Sequence, residues 1–108
     1  LAGVGVPLAF GSDSPVTPID PWGTVRAATQ HHNPRQRITV RAGFAAHTRG
    51  GWRAVRRDDE GVLVPGGPAT FAIWQTIGEL GGGLPALGSD DPLPTCVRTV
   101  LRGTTIHE

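Results

Sequence analysis

The sequence predicts an α/β chain: one buried strand, then helices, then a small β unit. Three observations carry this. Val4 to Phe10 is continuously apolar rather than alternating, as in a short parallel strand covered on both faces. Val40, Phe44 and His47 recur at helical spacing, with Ala42, Ala45 and Ala46 between them. Beyond Asp58 the character turns to β, with runs at Ala69–Trp74, Cys96–Leu101 and Thr104–His107.

Each element has a local rationale. Leu1-Ala2-Gly3 reads as a helix end, with Gly3 as its left-handed cap. The strand Val4–Phe10 carries Pro7 near its start, where a missing N–H is tolerated. Gly11-Ser12-Asp13-Ser14-Pro15 ends it in a polar loop, which Pro15, Pro18 and Pro21 hold extended. Asp20 caps a short helix with Pro21 at its first position, and that helix stops around His32-Asn33-Pro34. A second helix starts at the N-cap Thr39. The Gly50-Gly51 pair breaks or bends it, and Trp52 to Arg57 adds one or two turns. Gly61-Val62-Leu63-Val64-Pro65-Gly66 reads as a strand ending in a turn. Ile77 to Thr95 reads as a Gly- and Pro-rich surface loop, and Arg102-Gly103 joins the last two strands as a hairpin.

Composition excludes several function classes. The net charge of +1 is too balanced for nucleic acid or an anionic membrane surface. No run of 18 apolar residues exists, so no transmembrane helix is expected. The first ten residues lack a basic start and are broken by Gly3, Gly5 and Pro7, unlike a signal peptide. Cys96 is the single cysteine, which rules out an intramolecular disulfide; it reads as a small buried hydrophobe in a reducing, cytoplasmic setting. Sixteen glycines, ten prolines and only six aromatics make a thin stock for an independent core. A doubly buried strand also needs neighbours that the rest of the chain does not supply. The isolated chain is therefore expected to aggregate or stay molten. The chain starts at Leu1 and has no methionine, so sequence upstream of Leu1 is expected.

Asp13 is the candidate catalytic residue. An acid directly after a buried parallel strand sits where barrels and open α/β sheets build their sites. There a carboxylate can ligate a cation or move protons. Gly11 lets the backbone approach a ligand closely. Gly88-Ser89-Asp90 repeats the tripeptide without a preceding strand and reads as loop, with Asp90 and Asp91 solvated. Ser12 and Ser14 either donate hydrogen bonds at the site or shape the turn. Trp22 either lines the substrate pocket or belongs to the core. His31 and His32 fit an exposed helix end, and His47 a packed or half-exposed position. Arg49, Arg53, Arg56 and Arg57 suit a helix C-terminus and are followed directly by Asp58-Asp59-Glu60, a self-compensated face.

Gly3-Val4-Gly5-Val6-Pro7-Leu8-Ala9-Phe10-Gly11-Ser12-Asp13-Ser14-Pro15-Val16, followed by Asp20-Pro21-Trp22, resembles the last barrel strand of amidohydrolase-3 family enzymes, the relatives of N-substituted formamide deformylase. Arg37 to Ala42 looks like the family's final barrel helix. Gly61–Gly66 with Ala69–Trp74 looks like its return into a β-sandwich, and Val97 to His107 is similar to the closing strands.

The resemblance implies the C-terminal strand-helix portion of a (β/α)₈ metal-dependent hydrolase barrel plus part of a composite β-sandwich. Residues 1–57 would be the last βα portion of the barrel and residues 58–108 the sandwich strands. It implies hydrolysis of a non-peptide C–N amide bond with one or two divalent metals, commonly zinc. Asp13 would be both metal ligand and proton shuttle. Metal-bound water, with its pKa lowered to about 7, would lose a proton to Asp13, which then passes it to the leaving nitrogen.

Two departures from the family pattern stand out. No HxH pair is present, and His31, His32, His47 and His107 do not fit the metal positions; Thr70 stands where the signature has Asp. A catalytic zinc needs about three protein ligands, so the 108 residues alone are expected to be inactive. The implied partners are a small amide substrate and the rest of the barrel or a homo-oligomer partner. A catalytically inactive remnant or accessory module is the rival reading. A stand-alone α+β binding domain is disfavoured by the doubly buried first strand.

Overall fold

A computed structural model describes residues 5–108 as a mixed assembly of helix and sheet. The Leu1–Gly3 helix end falls outside the described residues. Helix α1 spans Pro21–Thr29. Asp20 caps it by accepting from the Gly23 N–H at 3.1 Å, and Pro21 occupies the first turn. A single 3₁₀ turn, Pro34–Gln36, follows. Asn33 caps it, accepting from the Arg35 N–H at 3.0 Å. Helix α2, Val40–His47, begins at the expected cap: Thr39 Oγ1 accepts from the Ala42 N–H at 3.0 Å.

The helix interruption lies two residues earlier than the glycines suggest. Thr48, with φ −104° and ψ −90°, ends α2, and its hydroxyl donates to the Phe44 carbonyl at 2.9 Å. Gly50 and Gly51 then lie inside α3, Arg49–Ala54. Gly50 is needed for another reason: a Cβ there would collide with the Leu8 carbonyl oxygen.

The β unit is antiparallel. Strand β1 is Phe71–Gln75, β2 Leu80–Gly81, β3 Leu84–Pro85, β4 Thr95–Leu101 and β5 Thr104–His107. The three-stranded sheet runs β1-β4-β5, and β2-β3 is a separate small ribbon. Phe71 pairs with Val100 and Trp74 with Cys96, with a bulge beside Trp74. Arg102 and Gly103, both at positive φ, turn β4 into β5 as predicted.

Two sequence expectations fail here. Val62–Val64 forms no strand: Val62 lies in a bend, Leu63 and Val64 are irregular, and Pro65-Gly66 make a turn. The expected loop from Ile77 to Thr95 contains the β2-β3 ribbon and sends Leu87 into the core, 2 % exposed. Trp22, Val25 and Leu87 form that core, with Val40, Trp74, Leu84 and Leu93 packed around it. Trp22 stacks on Phe44 and meets Trp74 edge-on, both at 5.9 Å between centroids. The core therefore draws on both sides of residue 57. Helices α1 and α2 meet closely because Gly43 lacks a Cβ, which would lie 2.9 Å from Val25 Cγ1.

Arg26, Gln30 and Arg41 fasten the 77–95 segment to the helices. They donate to the carbonyls of Asp91 (3.0 Å), Leu87 (3.3 Å) and Gly82 (2.6 Å). Glu60, 6 % exposed, ties the end of the helical region to the hairpin. Its Oε1 accepts from Arg57 and Arg102, each at 3.1 Å.

Candidate active site

The site is the loop that follows Phe10. The stretch predicted as a doubly buried strand, Val4–Phe10, is not one over its described part. Residues 6–10 take no regular secondary structure and form no ladder. The physical reason is the absence of a neighbour: a parallel strand needs a second strand beside it. What holds the segment is a helix. The Phe10 N–H donates to the Ala46 carbonyl at 3.1 Å, and the Phe10 ring meets His47 edge-on at 5.3 Å.

Asp13 stands three residues beyond that anchor. It is exposed, and its φ of 55° puts it in the left-handed region that Asp tolerates better than most residues. Its backbone carbonyl accepts from the Thr17 N–H at 3.3 Å. Its carboxylate takes no hydrogen bond and no ion pair among the described residues. Ser12 is spent on the turn: its Oγ accepts from the Ser14 N–H at 3.1 Å, and its carbonyl accepts from the Thr17 hydroxyl. Ser14 is exposed. Trp22, 6 % exposed, lies in the core with Val25 and Leu87. The turn role of Thr17 was not singled out from sequence, although a hydroxyl residue in a short polar loop is its usual signal.

The second Gly-Ser-Asp copy is a turn, as expected. Asp91 closes it by accepting from the Gly88 N–H at 2.8 Å. His31 and His32 stack on one another at 4.3 Å near the end of α1, and His31 Nδ1 accepts from the Asn33 N–H at 3.0 Å. His47 is half-buried. Its Nε2 is buried without a partner, and desolvation lowers the ring's pKa from the usual 6.5. Cys96 is half-buried, its sulfur 3.4 Å from the Thr99 hydroxyl.

The basic cluster is not self-compensated in the way its sequence suggested. Of Asp58, Asp59 and Glu60 only Glu60 pairs with arginine, and Arg49, Arg53 and Arg56 have no acid within ion-pair distance among the described residues. Glu60 reaches Arg57 of that cluster, whereas Asp58 and Asp59 lie beyond ion-pair distance of every arginine among the described residues.

The residues present do not by themselves fit a catalytic metal. Among the described residues no three His, Cys, Asp or Glu side chains are grouped to hold one, and a lone carboxylate is short of the roughly three protein ligands a catalytic site uses. Asp13 has the exposure and free lone pairs for such a role, as do Asp58, Asp59, Glu79 and Asp90; its place three residues beyond the Phe10–Ala46 anchor sets it apart.

The amidohydrolase family model matches residues 1–107, and the chain belongs to that family. Its members are hydrolases and generally metal-dependent. No curated protein and no solved structure matched the chain. Among the described residues no helix is long and apolar enough to cross a membrane.

Proposed function

We propose that this chain is the C-terminal part of a cytoplasmic metal-dependent hydrolase acting on non-peptide C–N amide bonds, of the N-substituted formamide deformylase kind. In this reading residues 1–57 close a (β/α)₈ barrel and residues 58–108 belong to its β-sandwich. The observation that carries it is the free carboxylate of Asp13, presented at left-handed φ just beyond the Phe10–Ala46 anchor in a chain of this family.

The chemistry asked of that carboxylate is a proton transfer in two stages. Water adding to an amide carbon must lose a proton, and the departing nitrogen must gain one. A single carboxylate within reach of both accepts the first and donates it second. Ser12 and Thr17 fix the turn, so Asp13 meets the substrate from a set direction. A divalent metal, zinc in this reading, takes its remaining ligands from outside these residues.

Asp13→Asn keeps the shape and removes the base. In the enzyme complete with its metal ligands it should lower kcat by roughly 10²–10⁴-fold, leaving the folded structure intact by circular dichroism. Activity within a few-fold of the parent would end the assignment. The 108-residue chain alone should show no turnover with added zinc.

A further inference from the structure

Asp13 sits on a turn that is closed on itself. The Ser14 N–H donates to Ser12 Oγ, the Thr17 hydroxyl to the Ser12 carbonyl and the Thr17 N–H to the Asp13 carbonyl. All three bonds lie within residues 12–17, so they shape the turn without fixing it to the helices. Its direction must come from its ends. On the N-terminal side only Gly11 and Ser12 separate Asp13 from Phe10. Phe10 meets helix α2 twice over. Its N–H donates to the Ala46 carbonyl at 3.1 Å, and its ring meets the next residue, His47, edge-on at 5.3 Å with 81° between the planes. One hydrogen bond fixes a distance and leaves the chain free to rotate about it. The aromatic contact supplies a second point and stops that rotation. The His47 ring owes its place to packing. Its Nε2 is buried and has no partner among the described residues, so no hydrogen bond from that nitrogen competes with the Phe10 contact. Burial also favours the neutral ring, which water draws on less than a charged one.

We infer that His47 is a positioning residue for Asp13: its ring, set against Phe10, fixes the direction from which the carboxylate is presented. The inference rests on the reading of Asp13 as the proton-transferring group. His47 touches no substrate in it and acts through Phe10.

The test uses the complete enzyme, as the parent and as His47→Ala and His47→Phe. Hydrogen exchange is followed by mass spectrometry over residues 8–13 and over the Arg102–Gly103 turn, and turnover is read with N-ethylformamide. His47→Ala should speed exchange over 8–13 about tenfold and leave the distant turn unchanged. It should lower kcat about tenfold with KM within about twofold of the parent, since orientation rather than binding is lost. His47→Phe keeps the ring edge and should restore both quantities. Unchanged exchange over 8–13 in His47→Ala overturns the inference, as does an equal rise at the Arg102–Gly103 turn. So does a loss of turnover carried by KM, an unchanged kcat, or a His47→Phe variant that behaves like His47→Ala. Exchange needs no substrate. If Asp13→Asn keeps full activity, the proposed hydrolysis falls while the exchange result still decides whether His47 holds the loop.

Discussion

Between Phe71 and His107 the backbone pairs largely with itself: β1, β4 and β5 share one sheet, and a two-residue turn brings the last two together. Between Gly5 and Ile19 the longer-range backbone tie among the described residues is the single bond from Phe10 to Ala46, and the rest is local turn bonding. Both regions are rich in apolar residues. They differ in where the partner must come from. An antiparallel strand finds its neighbour after a short turn, whereas a parallel one needs a neighbour brought back by a long crossover. The hairpin is self-sufficient, and the N-terminal stretch depends on other chain segments. The loosely tied region carries the candidate chemistry, and the tightly tied one carries stability.

That division can be broken by mutation. The largest effect is expected on activity, from Asp13→Asn, with the unfolding midpoint unchanged; a large loss of stability from this exposed position would contradict the division. Next comes Leu87→Ala, in the core. It should cost about 2–5 kcal/mol, as large-to-small core changes do, read by thermal unfolding followed through tryptophan fluorescence. A cost under about 1 kcal/mol would mean that the 77–95 segment is not anchored by its leucine. Glu60→Gln should cost less, about 1–2 kcal/mol, because Arg57 and Arg102 are 51 % and 59 % exposed in their side chains and return to water readily. It should also increase hydrogen exchange at the Arg102–Gly103 turn.

The smallest effect is a pH slope. Burial lowers the pKa of His47, so the fold prefers the neutral ring. The unfolded chain takes up its proton first as pH falls through 6.5. Stability from this source is thus complete above that pH and declines below it, until the folded-state ring also titrates. His47→Phe should flatten the decline between pH 7 and 5, and an unchanged slope would place its origin elsewhere.

Much of the helical and hairpin structure was legible because its signals are local. Asp20-Pro21 and Thr39 each mark a cap through a side chain within three residues, and Arg102-Gly103 marks a turn by itself. What was not legible depends on contacts far apart in the chain. Leu87 looked like loop because its partners Trp22 and Val25 lie more than 60 residues away. Of the two salt links of Glu60, the one to Arg57 was legible from adjacency, and the one to Arg102, 42 residues on, was not. Asp13 was legible as a residue of interest from its setting in the family pattern. Its freedom from hydrogen bonds needed the coordinates. Val62–Val64 had strand composition but no strand beside it.

The seat of Leu8 over Gly50 has an evolutionary corollary. A single methyl group at position 50 would meet the Leu8 carbonyl and lift the 5–10 segment from α3. The Phe10 anchor would follow, and the carboxylate three residues later would be displaced with it. Position 50 touches no substrate in this reading, yet a lineage that lost its glycine would lose the aim of Asp13 unless Leu8 moved as well. Because the contact is with the backbone at position 8, position 50 should stay glycine among relatives that keep this chemistry, whatever side chain stands at position 8.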